Sequence, residues 1–167
     1  MIDSTIDGGK VICFEPHWIG NMSGYCLDGA DQSGIVPLGN LQKLFEEDAR
    51  RTGKDGNIGM KLPIYFSQLG LHDVQCRVSD KVNFLNPHDH SPAQHDLYKS
   101  LKEEGIGTTP GEREKFVRFL MDRGLSSEEA VRQYEAELLL SQTFRSGSYL
   151  AYAPNMKITF GTVKINF

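Results

Sequence analysis

Two rhythms of apolar and polar positions alternate along this chain. The first is the short unbroken apolar run Val11-Ile12-Cys13-Phe14, bracketed by Gly8-Gly9 and by Glu15-Pro16. A run of that length between turn residues predicts a strand over Lys10 to Glu15, of the parallel kind that is covered on both faces and needs a neighbour on each side. So little chain precedes it that the sequence reads as a sheet entered partway through, with its function depending on a portion outside these residues. The second rhythm is helical. Leu38, Leu41, Leu44 and Phe45 recur on one face with Glu46, Glu47, Arg50 and Arg51 on the other, which predicts an amphipathic helix from Pro37 to Arg51. Lys54-Asp55-Gly56-Asn57 breaks it, and Pro63 followed by Ile64, Phe66, Leu69 and Gly70 predicts a short helix with proline in its first turn. Residues 17–28 mix small and aromatic side chains and fit either a helix or an ordered loop.

Beyond Gly70 the period shortens again. Val74-Gln75-Cys76-Arg77-Val78 alternates as a half-exposed strand does, and residues 82–85 extend it past an irregularity at Ser79-Asp80. A loop over residues 86–92 leads into helices predicted at Gln94 to Glu104, Pro110 to Arg123 and Ser127 to Gln142. Thr109 with Glu112 and Ser126 with Glu129 both have the capping-box spacing, in which hydroxyl and acid each satisfy an orphan backbone N–H. The last segments, Tyr149 to Ala153 and Met156 to Gly161, read as strands broken at Pro154-Asn155. The order predicts an α/β architecture: a mixed parallel and antiparallel sheet with a helical excursion before its final strand.

Composition narrows the function. With 167 residues, 39% hydrophobic and 24% charged, the chain has the makings of one buried core. A formal charge of −4 and no visible basic face argue against binding nucleic acid through its phosphates. No stretch approaches the roughly 20 apolar residues that cross a bilayer, and the first residues lack the pattern of a signal peptide, so a cytoplasmic protein without membrane contact is expected. Cys13, Cys26 and Cys76 have no metal-ligand spacing and are expected to be reduced structural thiols.

Here the residues resemble a known family. Gly8-Gly9-Lys10-Val11-Ile12-Cys13-Phe14-Glu15-Pro16 resembles the fifth strand, with its preceding glycine turn, of class I S-adenosylmethionine-dependent methyltransferases. Pro63 to Gly70 with Val74 to Val78 is similar to that family's fifth helix and sixth strand, and Tyr149 to Gly161 to its seventh, which in the family inserts antiparallel between the fifth and sixth. The resemblance covers most of the chain, as the carboxyl-terminal half of a partial Rossmann-like sheet. It implies one partial domain over residues 1–167 with a helical lid at about 92–143. It also implies a role in methylating a small molecule, to which this half contributes a pocket wall and the lid. The family's donor-binding parts, the glycine-rich turn after the first strand and the ribose-binding acid after the second, have no counterpart. Gly53-Lys54-Asp55-Gly56-Asn57-Ile58-Gly59 follows a helix and not a strand, so this chain alone is expected to be inactive and to bind no S-adenosylmethionine.

Candidate site residues follow from position. Glu15 and His17 lie at the carboxyl end of the opening strand, where sheets of this kind bind ligands and where a carboxylate and an imidazole can orient or deprotonate a substrate; Trp18 and Tyr25 are candidates to line the same pocket. Their competing roles are helix capping, a solvated loop and plain core packing. No catalytic residue is assigned. His88, His90 and His95 with Asp89 and Asp96 form a compositional cluster on a proline- and aspartate-rich loop, which reads as solvated and not as a metal site. A calcium loop around Asp55 is excluded, because Arg51 and Leu62 occupy its first and last ligand positions. The alternative to an enzyme fragment is an interaction module. An unpaired Lys10 to Glu15 edge recruits another strand, so self-association through it is expected under either reading.

Overall fold

The computed structural model describes residues 4–79 and 81–165. In chain order its elements are β1 (Lys10–Pro16), α1 (Trp18–Ser23), β2 (Tyr25–Leu27), α2 (Gln32–Ile35), α3 (Leu38–Thr52), a short 3-10 turn (Ile58–Met60), α4 (Leu62–Gln68), β3 (His72–Val78), β4 (Asn83–Leu85), α5 (Pro92–Glu103), α6 (Arg113–Asp122), α7 (Ser127–Thr143), β5 (Leu150–Tyr152) and β6 (Met156–Thr162). The fold is α/β with two small sheets, ordered β1-β6-β3 and β2-β5-β4.

Every pairing in both sheets is antiparallel, where the sequence predicts a mixed sheet. The reason is the place of β6. It lies between β1 and β3, with Phe14 opposite Ile158 on one side and Arg77 opposite Ile158 on the other, so the two outer strands run the same way without touching. β1 is consequently an edge strand, not a central one. Nor is it covered on both faces: Val11 is buried against Phe66, Leu71 and Val163 beneath α4, whereas Ile12 is 51% exposed and Phe14 63% exposed on the opposite face. An apolar run signals a strand with both faces covered only if something covers them, and the face bearing Ile12 and Phe14 is left open.

Three further expectations are corrected. Residues 83–85 do not prolong β3 but form β4 in the other sheet, paired with β5; the irregularity predicted at Ser79-Asp80 falls partly on residue 80, outside the described residues. The closing segment likewise divides, β5 entering one sheet and β6 the other across Ala153-Pro154-Asn155. Helix α6 begins at Arg113 with Glu112 at its N-cap and no side-chain cap, so Thr109-Pro110-Gly111 is loop and not a capping box. Ser126 and Glu129, by contrast, form the reciprocal pair in full at the start of α7.

The core has three parts. Leu27, Leu85, Leu101, Phe144 and Leu150 fill the space between the small sheet and the helices; Val11, Phe66, Leu71 and Val163 lie beneath the larger sheet; and Leu44, Leu120, Leu125 and Ala130 join α3, α6 and α7. Cys13 is half-buried, but Cys26 and Cys76 are exposed on their strands, so only the first behaves as the expected small hydrophobe. Among the described residues no helix is long and apolar enough to cross a membrane.

Candidate functional site

The chain leaves the carboxyl end of β1 through α1 and β2, and these two short elements open onto a cavity of about 480 Å³. That volume lies in the range of small-molecule sites, about 300–1,000 Å³. One side is built by Ile35 of α2, Val36 just after it, and Leu41 and Phe45 of α3; the other by Phe116 and Phe119 of α6 with Leu140 of α7. The residues after α5, from Glu104 to Gly111, form its rim.

That rim is held by a close approach. Gly107 has φ +63°, and a Cβ there would lie 2.9 Å from the Phe144 ring, so only glycine brings the loop this near the core. The Lys102 ammonium donates to the Gly107 carbonyl at 2.7 Å and lies over the same ring, 5.8 Å from its centroid. Thr109-Pro110-Gly111 is thereby drawn into the cavity wall. This explains why its local capping pattern is not realised.

The polar groups facing the cavity are few and specific. Gln133 is 2% exposed; its Nε2 donates to Glu137 Oε1 at 3.0 Å, one turn further along α7, and its Oε1 has no hydrogen-bond partner. Burial pushes the Glu137 carboxyl above the ordinary value, against the lesser pull of the Gln133 amide and of Arg123. Arg123 is itself engaged elsewhere. Its Nε and Nη2 fork onto the two Asp48 oxygens at 3.3 and 2.5 Å, and its guanidinium sits 5.1 Å from the Phe119 ring centroid. That fork is the leading cause holding the Asp48 carboxyl below its usual range. Tyr25 stacks on Tyr152 with centroids 4.7 Å apart, and burial, followed by the fields of Tyr152 and Glu104, raises its phenol well above the usual range.

Of the four residues singled out by position, Tyr25 lines this cavity. Trp18, 44% exposed, stands one residue behind it: its ring meets Phe45 edge-on at 5.4 Å, and Phe45 faces the cavity. His17 is the N-cap of α1, its N–H donating to the Asn155 carbonyl at 3.1 Å and its own carbonyl accepting from Asn21. Its imidazole is shifted downward, first by burial and then by the Lys157 charge. Glu15 lies opposite Lys157 in the β1–β6 register. Both serve the junction between sheet and helix and stand outside the cavity.

Sequence reasoning missed Gln133, Glu137, Arg123 and Glu104. A signal existed for the first two. Ala130, Gln133, Glu137 and Leu140 fall at helical spacing on the inner face of α7, with Phe144 following at its C-cap, so an amide and an acid interrupt an apolar stripe.

The segment Gly53 to Gly59 has a structural task. A Cβ on Gly56 would lie 2.2 Å from the Trp18 ring, and one on Gly59 would lie 2.9 Å from the Glu15 carbonyl oxygen. The glycines let this loop close over the end of β1; they do not follow a strand, and Asp55 is committed to Lys61 and to the Asn57 N–H. Among the described residues no three His, Cys, Asp or Glu side chains converge as metal ligands, and His88 instead meets the Tyr149 ring edge-on at 5.8 Å. No protein-family model matches the chain, and no curated protein matches it.

Proposed function

We propose that this chain is the acceptor-binding, carboxyl-terminal half of a class I S-adenosylmethionine-dependent methyltransferase acting on a small molecule. The observation that carries the reading is the strand arrangement: β6 runs antiparallel between β1 and β3, as the resembled family's seventh strand does between its fifth and sixth. Two features agree with it. The free edge of β1 and the bare face bearing Ile12 and Phe14 are where the family's remaining strands and helices would pack. The cavity lies beyond the carboxyl end of β1 and is walled on one side by the helices inserted before the last strands, where an acceptor would be held. The donor belongs to strands outside these residues, so no chemical step is assigned to this chain. Its part is to position the acceptor and exclude water, which in group transfer supplies much of the rate.

The test is calorimetric. The 167 residues alone are titrated with S-adenosylhomocysteine, and so is a longer product that includes the coding sequence upstream of Met1. Uptake by the longer product only, with a strand and glycine-rich turn in its added part, supports the reading. Tight binding by the 167 residues alone, or an upstream sequence without that turn and without binding, overturns it.

A second reading, that the chain is a non-catalytic module that pairs through β1, rests on the same open edge. It differs in requiring no ligand in the cavity.

A further inference from the structure

Resting on the reading of the cavity as an acceptor site, we infer that its ligand is a compact aryl or alkyl amine, bound as the cation, with its ammonium directed at Gln133 and its apolar body among the aromatic side chains. The cavity offers acceptors without a free cation. Gln133 Oε1 is buried with no partner, and leaving such an atom unmet inside a protein is costly unless a ligand or water donor meets it. Glu137 stands beside it on α7, joined through the Gln133 amide at 3.0 Å, and Glu104 adds a second carboxylate at the rim. Arg123, the cation among the lining side chains, is spent on Asp48 and Phe119. The Thr108 and Thr109 hydroxyls, able to donate or accept, do not alter this balance.

The apolar lining points the same way. Phe45, Phe116, Phe119 and Tyr25 face the space from two helices and a strand, and Phe116 and Phe119 are themselves in contact at 6.4 Å between centroids. Aromatic faces together with carboxylates attract an ammonium and repel an anion, since a ring presents its negative face to the ligand. A carboxylate or phosphate ligand would meet Glu104 and Glu137 with only the uncharged Thr108 and Thr109 hydroxyls to offset them.

The test uses the full chain and three probes: 2-phenylethylamine, phenylacetate and ethylbenzene, each followed by nitrogen–proton correlation NMR at neutral pH. The expected result is that 2-phenylethylamine binds about tenfold or more tighter than phenylacetate, as a charged hydrogen bond of this kind supplies, and moves the Gln133 side-chain amide signals. Gln133→Met is expected to weaken the amine by about tenfold while leaving ethylbenzene unchanged. Glu104→Gln, at an exposed rim position that does not endanger folding, is expected to narrow the preference for amine over phenylacetate. Equal or tighter binding of phenylacetate, amine binding that leaves the Gln133 amide unmoved, or no binding of the amine overturns the inference. No methyl donor enters the measurement, so its failure condemns the ligand class alone, and the half-fold reading stands or falls on the donor titration.

Discussion

Thr159, at the middle of β6, is 0% exposed, and its Oγ1 has no hydrogen-bond partner. The register explains the isolation: its neighbours across the sheet are Cys13 on one side and Cys76 on the other, and a thiol is only a weak donor and acceptor. Replacing the hydroxyl by a methyl keeps the shape and removes the orphan, so Thr159→Val is expected to raise the free energy of unfolding by about 1 kcal/mol, read from urea denaturation. Glu129 is the opposite case, a carboxylate with too many partners to give up. The Lys43 ammonium at 2.7 Å, first, and the Ser126 N–H, second, hold its carboxyl down at about 2, from an ordinary 4.5. A depressed acid stabilises the fold above its unfolded value, and that contribution fades as pH falls from about 4.5 to about 2. Glu129→Gln is therefore expected to flatten the acid limb of the stability profile in that window, measured by urea midpoints at successive pH values.

At the scale of elements, the loop from Gly53 to Gly59 is best probed at Gly56. Trp18 is the sole tryptophan, and its ring lies where a Cβ at Gly56 would fall, 2.2 Å away. Gly56→Ala is expected to destabilise by about 1–3 kcal/mol through overpacking and to shift the tryptophan emission, because the ring must move toward solvent. This contact also marks what the sequence could reveal. The helices α3, α4, α5 and α7 and the strand β3 were legible because their signals are local: spacing, a first-turn proline, a capping box that needs only Ser126 and Glu129. Thr109 with Glu112 shows the same local pattern, yet the Gly107–Phe144 approach pulls Thr109 into the cavity rim and the helix starts later. Strand partners were less legible. Nothing in residues 82–85 says that they pair with Leu150 to Tyr152 and do not continue β3. At the site, Tyr25 was reachable from its distance beyond β1, whereas Gln133 and Glu137 lie more than a hundred residues from it and join it only through packing.

For the whole molecule the exposed side of β1 dominates. Ile12 and Phe14 share one face with Ile158 and Phe160, and the outer edge of β1 carries backbone groups that no strand in either sheet meets. Such an edge pairs with whatever complementary strand it encounters. The 167 residues are expected to associate as concentration rises, and Phe14→Lys, which places a charge on that face without touching the covered one, is expected to return them to monomers, both by light scattering. A stable monomer at high concentration in the unsubstituted chain contradicts the expectation for this surface.

Ala153-Pro154-Asn155 is the short splice by which one continuous backbone serves two sheets. Tyr152 on one side of it stacks on Tyr25 at the cavity wall; Asn155 on the other accepts from the His17 N–H through its carbonyl and donates its own N–H to Asn21 Oδ1. One short stretch of backbone thus ties the stacked rings at the cavity wall to the start of the middle strand that lies alongside β1.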